Sequence, residues 1–206
     1  MSNSAAATHE IHLTRRRLDT VLIAFGALAT AVFAVAGGLL KWGSDFAADY
    51  VRDELSSQHV TFPPAEALTE EGRDDLVKYA GAQVDTGKEA EAYASFINGH
   101  LAGVADGKTY SELDDRGAAA AVAEAKSKGA SEEEIAALQA TADKVAGQRN
   151  TLFKGETLRG LLLSAYAWST VGNIAGYAAW AAFAAAIVML VLTVLGFGHV
   201  RRLAKS

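Results

Sequence analysis

Two stretches of this chain are apolar on every side instead of alternating with polar positions: Val21 to Leu40, and the uncharged run from Gly160 to His199. Each is at least as long as the ~20 apolar residues that cross a bilayer as a helix. Between them the pattern becomes one-sided. Phe46, Tyr50, Val51 and Leu55 form a helical stripe with Asp45, Asp49, Asp53 and Glu54 off it, so the first apolar helix is predicted to continue outward, bending at Gly43. The segment Phe62-Pro63-Pro64 then makes a structural turn, because paired prolines end a helix and hold the preceding residue extended. Short helices are predicted from Asp74 to Ala82, from Lys88 to Val104 and from Ser111 to Ser127, the last closed by Gly129. In the second of these, Tyr93, Ile97, Leu101 and Val104 share a face. Ser131 through Glu134 is a capping-box pattern that starts a long helix. Its positions Ile135, Leu138, Ala142, Val145 and Leu152 keep three/four spacing, interrupted by Arg149, and nothing stops it before the second apolar run. Met1 to Thr14 lacks periodicity and reads as a disordered tail. The expected fold is all-α, with two transmembrane helices, their outward extensions, and a small extracytoplasmic helical domain between them.

The second run is too long for one crossing. At 1.5 Å per residue it extends about 55–60 Å, against a hydrocarbon core of ~30 Å. Tyr177 and Trp180 suit the outer headgroup level and Arg201 and Arg202 the inner boundary, which places the crossing at residues 177–198. The predicted organisation is a basic tail at 1–17, a first span at 18–41, an outer region at 42–176, the second span, and a basic tail at 199–206. Residues Gly160 to Gly176 then stand outside the lipid and need cover, and two sources are left open: the outer domain itself, or a partner meeting Leu161, Leu162, Tyr166, Trp168 and Val171. A fold-back around Gly172 and Gly176 into two short spans is the alternative geometry. Gly26, Thr30, Ala34 and Gly38 recur every fourth position, and Gly172 with Gly176 forms a GxxxG element, so these are the candidate helix-packing or partner interface.

Charge adds topology. The net charge of −5 conceals an acidic middle between basic ends, Arg15 to Arg17 before the first span and Arg201, Arg202 and Lys205 after the second. By the positive-inside bias both termini are cytoplasmic and the central loop is outside. The first span with Ala34-Val35-Ala36 also has features of a cleavable secretory signal, but its apolar run exceeds the usual ~7–15 residues, and an uncleaved anchor fits better. An acidic outer region argues against nucleic acid as a partner, and the absence of cysteine excludes disulfides and thiolate sites.

Candidate chemistry is sparse. His59 and His100 are the loop histidines, and neither has metal-ligand spacing to a carboxylate. Asp74-Asp75, Asp114-Asp115 and Glu132 to Glu134 lack EF-hand spacing and read as solvated helix N-terminal charges. No nucleophile elbow or phosphate loop is present. No catalytic residue, metal ligand or cofactor is expected.

Val51 through Leu55, Gln58 through Pro64, Lys78 through Gly81, Ala92 through Ala94, and Phe153 through Leu163 resemble a family of two-span membrane proteins of high-GC Gram-positive bacteria. The resemblance covers nearly the whole chain. It implies plasma-membrane location and an extracytoplasmic helical domain, and it carries no activity over. The resulting expectation is a non-enzymatic protein of the lipid bilayer, acting through a membrane-protein partner or as a homo-oligomer in assembly of a cell-envelope complex. An extracytoplasmic ligand-binding or sensor module signalling through a partner is the alternative.

Overall fold

The structure, a computed structural model, describes the backbone of residues 2–203 and the side chains of residues 17–202. The side chains of Arg15, Arg16 and Lys205, basic residues on which the topology reading draws, lie outside the described residues. The fold is all-α, with helices α1 (Ser2–Ser56), α2 (Ala65–Glu70), α3 (Gly87–Val104), α4 (Asp115–Ser127) and α5 (Glu132–Leu203). Two 3-10 turns lie at Asp74–Tyr79 and Tyr110–Glu112. Among the described residues the β-type pairing is one antiparallel bridge, Thr61 with Gln83. Helix α1 begins at Ser2, where the sequence predicts a disordered tail; no glycine or proline stands between Met1 and Phe25, so a helix formed in the apolar run propagates backward unbroken.

The chain divides into two compact units, the first made of Met1–Ala48 and Val171–Ser206, the second of Asp49–Thr170. In the first unit α1 and α5 pack antiparallel. Ile23 meets Gly196, Gly26 meets Thr193, Gly37 meets the Phe183 ring, Ser44 meets Gly176 and Ala47 meets Gly172. The inward residues of α1 include Ile23, Gly26, Thr30, Gly37, Leu40, Ser44 and Ala47, and those of α5 include Gly172, Gly176, Ala179, Ala186, Met189, Thr193 and Gly196. This seam repeats every seven residues, not every four. A seven-residue step drifts only ~20° around a helix, whereas the twelve residues from Gly26 to Gly38 turn the face by about 120°. Gly26 and Thr30 therefore lie inward, while Ala34 and Gly38 are exposed and Gly38 has nothing near its missing side chain. Helix α5 runs unbroken through Gly172 and Gly176, so the alternative fold-back does not form. Both glycines instead admit α1: a Cβ on Gly172 would stand 2.9 Å from the Ala47 methyl, and one on Gly176 2.8 Å from Ser44 Oγ.

Helices α1 and α5 are each long and apolar enough to cross a membrane, and only 11% of the most apolar window of each is buried. Phe25, Val32, Leu39, Ile187, Val191 and Leu195 are each at least half exposed.

In the second unit the end of α1, helices α2 and α3 and the adjoining part of α5 enclose one core. Leu68 is fully buried, and Phe62, Leu76, Val84, Ala90 and Leu162 surround it. A smaller cluster joins Leu101, Ala105, Leu113 and Leu152. Gly155 on α5 makes room for the Leu101 side chain, and Gly87 at the start of α3 admits Ser169. Helix α4 closes as its sequence predicts: Gly129 has φ +70, the Gly129 amide donates to Lys126 O (3.3 Å) and the Ala130 amide to Ala125 O (3.0 Å), which together make a Schellman cap. The segment at Asp74 winds as a 3-10 turn where an α-helix to Ala82 is predicted, and Gly81, at φ +69, ends it.

Candidate functional site

The site is built on the second unit, beginning with the turn that leaves α1. That helix ends at Ser56, and His59 adopts φ +52 to reverse the chain. Val60 to Phe62 then pairs with 82–84, Phe62 donating from its amide to Ala82 O (2.9 Å) and Val84 to Val60 O (2.8 Å). Pro63 and Pro64 follow in extended conformation, and Pro64 occupies the N-cap of α2, where its missing N–H costs nothing. Phe62 is only 3% exposed; it stacks on Tyr79 with ring centroids 5.2 Å apart and meets the edge of Tyr93 at 5.2 Å. The Phe-Pro-Pro turn is thus a core anchor, with the aromatic inside and the prolines setting the path of the backbone.

Beside this turn lies an open groove of about 570 Å³. Its floor is buried and aliphatic, from Val51, Val84 and Leu162. Tyr50 and Glu54, spaced by four on α1, and Gln58 in the turn that follows it form one exposed edge; Leu158, Leu161 and Trp168 on α5 form another. The first edge carries polar tips, and the α5 edge is apolar apart from Ser164. Among the described residues Glu54 is the one charged side chain lining the groove.

The structure separates the residues predicted at this end of α5. Leu162 is 5% exposed and belongs to the core, so it is unavailable to a partner, and Tyr166 is half-buried with its backbone close to Gly87. Leu161 and Trp168 are 65% and 57% exposed. Adjacent leucines on a helix point 100° apart, and the domain meets one of those directions only.

His100, Asp114, Asp115, Arg149 and Ser131 have structural partners. His100 donates from Nδ1 to Phe96 O (3.2 Å) in the tautomer that carries the proton there, places Nε2 3.4 Å from a Glu71 carboxylate oxygen, and meets the Phe96 ring edge-on at 4.5 Å. Asp114 caps α4, accepting from the Gly117 amide at 2.8 Å. Asp115 pairs with Arg149, whose guanidinium also lies 4.3 Å from the Tyr110 ring centre. That clasp explains why Arg149 interrupts the apolar seam of α5: it ties the start of α4 to that helix. Ser131 Oγ accepts from the Glu134 amide at 3.2 Å.

A capping box that sequence reading missed starts α3, with the Thr86 hydroxyl accepting from the Glu89 amide and the Glu89 carboxylate accepting from the Thr86 amide at 2.9 Å and the Asp85 amide at 3.1 Å. The Thr-x-x-Glu pattern before Ala90 was the available signal. Burial acts against the charged form of Glu89, but these donors outweigh it and hold the group below its ordinary pKa. Burial raises Tyr93. Among the described residues no three His, Asp or Glu side chains gather closely enough to hold a metal ion.

Comparison of the chain with protein-family models, with curated proteins and with solved structures finds no match in any of the three.

Proposed function

We propose that this chain is a non-enzymatic two-span protein of the plasma membrane, of the high-GC Gram-positive family it resembles, with both termini cytoplasmic and the second unit outside. Its role in this reading is assembly: the outer helices make it an accessory subunit of a cell-envelope complex, held to a membrane-protein partner or to a second copy. The supporting observation is the exposure of apolar side chains on the part of α5 that the bilayer does not accommodate. Val171 and Ile174 are 56% and 62% exposed, and in this reading both precede the crossing at 177–198. Large apolar groups left in water at a contiguous site mark an interaction surface.

A photoreactive amino acid at Ile174, activated in native membranes, tests this directly. A defined adduct of this chain with a second protein or copy is expected; recovery of monomer alone defeats the assembly reading. Orientation is tested separately with single cysteines in this cysteine-free chain. Glu132→Cys is expected to react with an impermeant maleimide on intact cells, and Ser4→Cys only after lysis. The second reading, a ligand-binding module, is favoured by the groove beside Val51 and Leu162.

A further inference from the structure

We infer that the groove of the second unit binds a single-chain amphiphile carrying a primary ammonium head, its hydrocarbon chain along the apolar edge and its head at Glu54. The inference rests on the ligand-binding reading and names its ligand.

Three features define the occupant. The volume of about 570 Å³ falls within the ~300–1,000 Å³ of small-molecule sites, whereas three turns of helix fill roughly 1,200 Å³. A chain fits; a helix does not enter. The floor consists of aliphatic side chains without a polar group, so hydrocarbon displaces water there without stranding a hydrogen-bond partner. Among the lining residues the polar groups are Tyr50, Glu54 and Gln58 on one side and Ser164 on the other, and the one charge, Glu54, is negative. Among the described residues Glu54 has no ion-pair or side-chain hydrogen-bond partner, so its carboxylate is available to a cation. An anionic head of the same chain length meets repulsion at that position, and a primary ammonium meets a carboxylate with a carboxamide, Gln58, four residues along the chain.

Trp168 on the groove edge is the reporter. Full-length protein with Trp42→Phe and Trp180→Phe, keeping Trp168 as the sole tryptophan, is placed in nanodiscs of zwitterionic lipid and titrated with dibrominated octadecylamine or the dibrominated octadecanoic acid. The amine is expected to quench Trp168 at a tenfold or more lower mole fraction than the acid. Glu54→Gln should remove that preference while leaving quenching by chain length alone, and Ala165→Leu, which fills the groove, should weaken both. Equal quenching by the two probes, or a preference that survives Glu54→Gln, overturns the inference. So does absence of quenching in a sample that runs as a dimer, which means a second chain covers the edge. Because Ile174 does not line the groove, amine-selective quenching with monomer alone at the Ile174 cross-link would keep the ligand and remove the assembly role.

Discussion

Leu161 and Leu162 are neighbours of one type on one helix, and truncating them should have unequal consequences. Leu162→Ala removes buried methyl groups from the core around Leu68, Val84 and Ala90, at 5% exposure. Leucine-to-alanine changes in cores cost ~2–5 kcal/mol, and because Leu162 also borders the open groove, where water fills part of the space left, the lower end applies, about 2–3 kcal/mol. Leu161 is 65% exposed, and its truncation should fall within ~0.5 kcal/mol of wild type. Both substitutions change helix propensity equally, so that contribution cancels in the comparison. Hydrogen exchange on the full chain in nanodiscs reads the difference locally. The most protected amides of α3 should exchange about 30- to 150-fold faster in Leu162→Ala, at ~1.4 kcal/mol per factor of ten, and less than threefold faster in Leu161→Ala. Equal effects, or a larger one at Leu161, would refute the assignment of inner and outer faces to this part of α5.

Three further outcomes are expected. Gly37→Val places a branched side chain where a Cβ already stands 2.8 Å from the Phe183 ring, so disulfide formation between Ser44→Cys and Gly176→Cys should slow sharply, whereas Gly38→Val, with open space around it, should leave the rate unchanged. Gly129→Ala forces an L-residue to φ +70 at a cost of about 1–2 kcal/mol, read as faster amide exchange in α4. For Glu89, whose folded pKa lies below the unfolded one, the stabilisation is present at neutral pH and is lost as pH falls through the folded value. Neighbouring Asp85 is shifted upward, by burial and then by its hydrogen bond with Glu89, and opposes this, so the acid limb of the helical circular dichroism signal should be shallow. Glu89→Gln should weaken α3 at pH 7 and flatten that limb further.

Signals that act over a few residues were legible in the chain. The Lys88 to Val104 periodicity, the Gly129 stop and the uninterrupted path into the last apolar run each correspond to an observed element, because hydrogen bonds within one helix and the conformational freedom of one glycine depend on near neighbours. Less local features were harder. The small residues of the first apolar run suggested a four-residue repeat, and the actual seam of seven emerges only with α5 beside α1, since packing selects which of several small-residue rows is used. Arg149 looked like a defect in a seam until Asp115 and Tyr110 were placed against it.

By itself, the sequence determined an all-α chain with two helices long and apolar enough to span a bilayer, the second with more apolar length than one crossing needs. Tertiary structure alone decided how that surplus is divided, burying Leu162 and leaving Leu161 and Trp168 at the edge of a groove. The groove exists because residues 50–58 and 158–168 are brought together across a long separation in the chain. Helical periodicity sets the direction of each side chain relative to its own axis, and only the neighbouring element decides whether that direction meets protein or open space.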